Sequence, residues 1–355
     1  MKQDQIGDLT LQVQRNCDIS DAQYAGALSL CSFLLLVRNF YKWEQGHPPW
    51  QEEDSQVVMG WIDERETLWE SVVEASYQDL VLSGEHMDPF DLERVNDAMK
   101  PHGLLYGAGY AYGLKPTFFL GRMERRERLD GLNLCFVGRE LARDMIGSPA
   151  LRQGSNIYIR RQCAGFYLWD KTFERLAAKK PAIMYALRRQ GIVDLDGLRR
   201  NLDALVEVHL GIMLHHEIGE SRLDEFDATF KEILTAFPMS PIEKFVRSLR
   251  DVMADTHPDG TVAYIVRQKD ETALALYAAF IDGFPRVLYP EIVSGFCEFS
   301  DSGDWTRIEQ DRQRAYDRLR QKAKELVDFY NLIPEKGLEA VGEEIRKTLV
   351  DPLLT

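Results

Sequence analysis

Between Gly103 and Gly121 the chain carries five glycines set among aromatic residues, in the stretch "HGLLYGAGYAYGLKPTFFLG" that starts at His102. A glycine inside a helix weakens it by roughly 0.5–1 kcal/mol relative to alanine, so a run this rich in glycine excludes a continuous helix. The pattern on both sides is helical. The chain is therefore expected to be mainly α, with a small inserted α/β or β-rich unit around residues 101–170. That gives an N-terminal helical region 1–100, a basic glycine-rich unit 101–170 and a C-terminal helical region 171–355. The 355 residues suffice for two or three domains.

The flanking helices are read from apolar spacing and capping residues. One is expected over 20–43, capped by Ser20 or Asp21, and another over Ser55–Leu80, where Val57, Val58, Trp61, Ile62, Leu68, Trp69, Val72 and Val73 recur at steps of three and four. A short third helix starts at Asp88 with Pro89 in first position. Inside the insert, "TFFLG", "LNLCFVG" and "SNIYIRRQC" read as strands, with "AGFYLWD" as a further one. "RMERRERLDG" is expected to be a loop ending in an Asp130-Gly131 turn, and "GRELARDMI" a short helix. After Lys171 the helical spacing resumes, broken at Pro181, with one long helix or two joined near Gly219. Ser240 caps the next one, and a long charged helix spans 304–330.

Composition narrows the class of protein. A net charge of −14 argues against a chain that coats nucleic acid or an anionic membrane. The charge is unevenly spread. Residues 1–114 hold seven Lys/Arg against nineteen Asp/Glu, residues 115–200 eighteen against nine, and residues 201–355 eighteen against twenty-nine. Either the blocks pair with one another, or the basic block at 115–200 engages an anionic ligand or nucleic acid. The five cysteines are scattered singly, which fits small buried thiols in a reducing cytoplasm. The longest apolar run, Tyr24–Val37, is too short to span a bilayer, and the polar N-terminus lacks a signal-like apolar core.

Two groups of residues could carry chemistry. The first lies in "EVHLGIMLHHEIGES", Glu207 to Ser221, which holds three of the seven histidines. On a helical wheel His209, His216 and Glu220 fall within about 40° of one another, whereas His215 points about 100° away from His216. His216 and Glu220 have the i, i+4 spacing by which one helix offers two ligands to one metal. "HEIGE" resembles the zinc-protease HExxH pattern with Glu220 in place of the second histidine. That likeness implies His216 as a ligand and Glu217 as general base. Zinc, iron or manganese suits this donor set. The other reading is a buried apolar helix whose imidazoles bond to carboxylates or backbone carbonyls.

The second group is basic. Arg122, Arg125, Arg126 and Arg128 fall in one expected loop, and Arg160 and Arg161 end a strand. Arg160 or Arg161 beside Arg139 or Arg143, with Lys115, is the expected anion-binding set, because guanidinium forks suit carboxylates and phosphates. Glu140 and Asp144, at i, i+4, could hold a divalent ion. The glycines before Lys115 do not make a phosphate loop: Leu114 separates Gly113 from Lys115, and Pro116 separates Lys115 from Thr117. Their expected use is close backbone approach.

"SLCSFLLLVRNFYKWEQGHPPW", "LKPTFFLG" and "GRELARDM" together resemble a bacterial family of conserved proteins without an assigned activity. That likeness implies no catalytic residues. The expectation is an uncharacterised cytoplasmic protein with a metal site on the His209–Glu220 helix, hydrolytic if it is an enzyme. The alternative is a binding or scaffold protein whose basic middle unit engages an anionic partner such as nucleic acid or a nucleotide. The helix at 304–330 would be the assembly face of a homo-oligomer.

Overall fold

The computed structural model describes residues 3–82, 84–110, 115–178 and 180–354. They fall into two compact units, Met1–Asp170 and Lys171–Thr355.

The first unit opens with α1 (Gln3–Tyr24), α2 (Leu30–Glu44) and α3 (Ser55–Val72). A two-stranded ribbon follows, β1 (Leu80–Leu82) with β2 (Glu85–Met87), then α4 (Leu92–Met99). The sheet is built from β3 (Leu104–Tyr110), β4 (Pro116–Leu129), β5 (Leu132–Arg143), β6 (Ala150–Gln153) and β7 (Asn156–Arg160), and α5 (Arg161–Ala177) leaves it. Strand order is β3-β4-β5-β7-β6, antiparallel except for the parallel β5–β7 pair. Register shifts between Leu120 and Arg125 bend the long β4–β5 hairpin, and the sheet curls into a half-barrel. The mainly α fold with an inserted β-rich unit is thus the one the sequence predicts.

Several boundaries differ from the sequence expectation. The first helix starts at Gln3, not near residue 20. Leu9, Val13 and Cys17 step along one face at intervals of four and bury against the sheet. Polar side chains on that face hide the stripe, because each is satisfied from a distance. Asn16 exchanges hydrogen bonds with the Gln78 backbone, and Ser20 donates to the Pro116 carbonyl. Ser20 and Asp21 therefore cap nothing; Ser29 caps α2 instead. Asp91, not Asp88, caps the fourth helix. The "RMERRERLDG" stretch is the second half of β4 rather than a loop. Only its Asp130-Gly131 end turns, with φ of 46° and 85°, as a two-residue hairpin requires. "GRELARDMI" is mostly strand, since pairing with β4 outweighs local preference for helix, and "AGFYLWD" lies inside α5.

The glycines of β3 serve close packing. A Cβ on Gly107 would overlap the Phe119 ring, and one on Gly109 would stand 2.5 Å from Gln153 Nε2. Gly113 lies outside the described residues.

The second unit is helical: α6 (Pro181–Arg189), α7 (Leu195–Glu220), α8 (Asp224–Ala236), α9 (Pro241–Thr256), α10 (Thr261–Gln268), α11 (Glu271–Phe280), α12 (Gly283–Leu288), α13 (Glu291–Ser302), α14 (Trp305–Tyr330), α15 (Ile333–Lys336) and α16 (Leu338–Ile345). The stretch around Gly219 is two helices, parted at Ser221–Leu223. Ser240 caps α9 by accepting from the Glu243 amide. The charged α14 buries Ile308, Ala315, Leu319, Ala323 and Leu326. No helix among the described residues is long and apolar enough to cross a membrane.

Buried charges tie the first unit together. Lys115 Nζ lies 3.0 Å from Asp21 Oδ1 and 3.7 Å from Asp144 Oδ2, with all three side chains out of solvent. Asp21 also accepts from the Met145 amide, and Asp144 from Thr117 and the Gly147 amide. Burial pushes the Asp21 carboxyl up to about 6 although Lys115 opposes it. Removing one partner of a buried pair leaves an uncompensated charge. Lys115→Met is accordingly expected to lose about 3–5 kcal/mol of stability, read as a fall in the urea midpoint with no change of slope.

Candidate functional site

The histidine helix meets α9 at its C-terminal end. Asp194 caps α7 by accepting from the Gly197 amide at 2.6 Å, and Leu198, Leu202, Leu205 and Val206 bury along it. Gly219 brings the backbone of α7 against the Ala254 carbonyl of α9, and Gly260 lets the turn after α9 fold back on the same carbonyl. A Cβ on Gly219, and equally one on Gly260, would overlap the carbonyl oxygen of Ala254 in α9. That approach places the α9 pair Asp251 and Asp255 against His216.

Asp255 organises the cluster. Its Oδ1 accepts from His216 Nδ1 at 2.9 Å and from Thr261 Oγ1 at 2.6 Å, and its Oδ2 accepts from the Tyr277 hydroxyl at 2.9 Å. With Nδ1 committed to Asp255, the other ring nitrogen of His216 faces Glu220. Nε2 to Oε2 is 3.9 Å. Glu220 Oε1 is held 2.6 Å from Arg250 Nη2, which also reaches Asp227 Oδ1 at 3.1 Å. Asp251 completes a group in which one ligand atom each from His216, Glu220 and Asp251 lies within 4.8 Å of the others.

Electrostatics follow from this crowding. Burial works against a charged His216, but the Asp255 carboxylate, by charge and by hydrogen bond, with Asp251 and Glu217, holds its pKa well above the ordinary value. Burial pushes the Asp251 carboxyl up to about 6, opposed by His216 and reinforced by Glu220 and Asp255. The pocket of charge contains more carboxylates than cations.

The sequence-predicted residues separate on the structure. His216 and Glu220 come together, and Glu217 is buried beside them, where its charge acts on His216. His209 is not part of the group. It is 1% exposed and meets the Phe280 ring edge-on at 5.8 Å. The reason is axial: seven residues share an angle on the wheel but are about 10 Å apart along the helix, too far for one ion. His215 stacks on Tyr264 at 3.7 Å and its Nδ1 meets the Gly211 carbonyl at 2.9 Å. Sequence reasoning misses Asp251, Asp255 and Arg250. Their signal is the i, i+4 aspartate pair on an amphipathic helix, but its meeting with α7 is tertiary and leaves no local mark.

The expected anion set is distributed differently. Arg160 Nε lies 2.5 Å from Glu140 Oε1, and its guanidinium stacks over Phe119 at 4.4 Å. Arg143 Nη1 reaches Cys163 Sγ at 3.3 Å and Glu140 Oε2 at 3.7 Å, and Lys115 pairs with Asp21 and Asp144. Arg160, Arg143 and Lys115 are thus buried among internal carboxylates, whereas Arg161 is partly exposed and 3.6 Å from Glu124. Glu140 and Asp144 lie at the end of a strand instead of on a helix, and each is engaged by these cations.

The class these features define is a mainly helical protein with an inserted half-barrel and a histidine–carboxylate cluster in its C-terminal unit. The N-terminal domain model of a family of unknown function (DUF6866) matches residues 8–160, and the C-terminal domain model of the same family matches residues 165–348; the chain belongs to this family. No curated protein and no solved structure matches it.

Burial alone holds the His209 pKa down at about 4. A folded pKa below the unfolded value near 6.5 gives stability that is present above pH 6.5 and is lost as pH falls towards 4. His209 is thus expected to cost the fold about 2 kcal/mol between pH 7 and pH 5. In His209→Gln that part of the pH dependence should vanish, measured by urea denaturation at both pH values.

Proposed function

We propose that the protein binds a divalent metal ion between α7 and α9, with His216 Nε2, Glu220 Oε2 and an Asp251 oxygen as ligands. The observation that carries this reading is that one ligand atom from each of these three residues lies within 4.8 Å of the others, with Asp255 on Nδ1 of His216. A carboxylate on the second ring nitrogen fixes the tautomer and orientation of a metal-binding histidine. Thr261 and Tyr277 in turn fix that carboxylate. Arg250 takes Glu220 Oε1 and leaves Oε2 on the side of His216.

One imidazole and two carboxylates suit zinc, iron(II) or manganese(II). A metal competes here with the proton on His216, so affinity rises with pH. The ion would brace α7 against α9. In the enzymatic form of this reading a bound ion would supply Lewis-acid activation of water for hydrolysis, and Glu217 would be the residue to take the proton.

Elemental analysis of purified protein is expected to show one such metal per chain. Adding zinc or manganese to chelator-treated protein should raise its melting temperature, and Asp251→Asn should abolish the rise while leaving the apo protein folded. No stoichiometric metal and no metal-dependent rise would sink the reading.

A further inference from the structure

The two ends of the half-barrel differ in chemistry. One end holds the internal ion pairs of Glu140 and Arg160. The other leaves a cavity of about 450 Å³, walled on one side by the sheet and on the other by α4. Register decides what lines the sheet wall. Arg128 stands opposite Asn133, Asn133 opposite Asn156, and Asn156 opposite Gln153. One step inward, Arg126 stands opposite Cys135, and Cys135 opposite Tyr158. Directly opposed residues share a face of a sheet, so both rows look into the same cavity.

Three observations set this cavity apart. First, its arginines lack protein anions. Arg125, on the other face, pairs with Glu127 at 2.9 Å and stacks over Phe136 at 3.7 Å. Among the described residues no carboxylate forms an ion pair with Arg126 or Arg128. Second, both amide atoms of Gln153 are buried without a hydrogen-bond partner among the described residues, and Gln153 lines the cavity. Folded proteins rarely leave such polar groups unsatisfied. Third, the room for Gln153 is made by Gly109, where a Cβ would stand 2.5 Å from Nε2.

The lining selects a ligand class. Arg126 and Arg128 are two residues apart on one strand, about 7 Å between Cα atoms, with both forks on one face. Two guanidiniums and the Gln153 amide offer more donors than two carboxylate oxygens accept, and they match the three oxygens and near double charge of a phosphate group. The facing wall carries Glu93 and Asp97, whose carboxylates are suited to accept hydrogen bonds from hydroxyls and disfavour a second anion. The volume falls in the range of small-molecule sites, roughly 300–1,000 Å³, and exceeds what inorganic phosphate alone would fill.

We propose that the mouth of the half-barrel binds a phosphate monoester of a small hydroxylated molecule, a sugar or a nucleoside. Arg126 and Arg128 hold the phosphate, Gln153 bonds to it from β6, and Glu93 and Asp97 take the hydroxyls. The site lies in the N-terminal unit and is independent of the proposed metal centre.

Isothermal titration calorimetry on the full chain tests this with ribose 5-phosphate and adenosine monophosphate as probes, and ribose and adenosine as controls. At least one monoester is expected to bind and neither control. Arg126→Ala and Arg128→Ala, both exposed in the folded chain, should each weaken binding by about tenfold. Gln153→Glu, which sets a carboxylate against the phosphate, should abolish it, while Arg125→Ala, on the opposite face of β4, leaves it unchanged. No binding of either monoester at millimolar concentration, or equal binding by the arginine variants, overturns the proposal. So does binding of a 5′-phosphorylated oligonucleotide without the monoesters, which would make this a nucleic-acid surface.

Discussion

The N-terminal unit is organised around charges that water does not reach. Asp21 comes from α1, Lys115 from the segment entering β4, Glu140 from β5, Asp144 just beyond it, and Arg160 from the end of β7. A buried ion pair contributes little net stability over apolar residues of the same shape, but it penalises every arrangement in which one partner is lost. The pairs therefore act on uniqueness more than on strength. α1 can shift along the sheet only by stranding Asp21 and Lys115. The same rule holds for Cys163, whose thiol donates to Glu140 at 3.0 Å; burial pushes its pKa up to about 12, so it behaves as an inert donor.

The C-terminal unit repeats the device with one residue at its centre. Asp255 accepts from His216, Thr261 and Tyr277, which belong to three different helices, α7, α10 and α11. Burial, then the Asp255 charge, keeps the Tyr277 hydroxyl protonated and donating. In both units a polar group carried by one helix is satisfied only by tertiary partners, and apolar packing supplies the bulk of the burial around it.

How much of this is legible in the sequence depends on whether the signal is local. Ser240-Pro241 and Asp130-Gly131 act through their own backbone, and both mark their element ends correctly. The fold class is legible because the glycine-rich insert breaks an otherwise helical pattern. Where tertiary contact decides, the sequence misleads. Arg160, Arg143 and Lys115 look like an anion set because their charge is visible, whereas their carboxylate partners lie across strands and helices. Residues 122–128 look like a loop because this half of β4 is exposed on both faces and highly charged, which masks its pairing. The helical wheel brings His216 and Glu220 together correctly and adds His209 falsely, since an angle carries no information about height. Asp251 is illegible because nothing in α9 announces what packs against it.

The glycines at 219 and 260 carry a further consequence. Both press on one carbonyl oxygen, that of Ala254. Gly219 lies on α7 and Gly260 in the turn after α9, so the approach of α7 to α9 at Gly219 is metered by rigid main chain, not by side chains that could swing aside. The two helices form a jaw with a fixed opening. The distance between His216 and the α9 aspartates would then depend on an absent methyl group at Gly219, well away from those side chains.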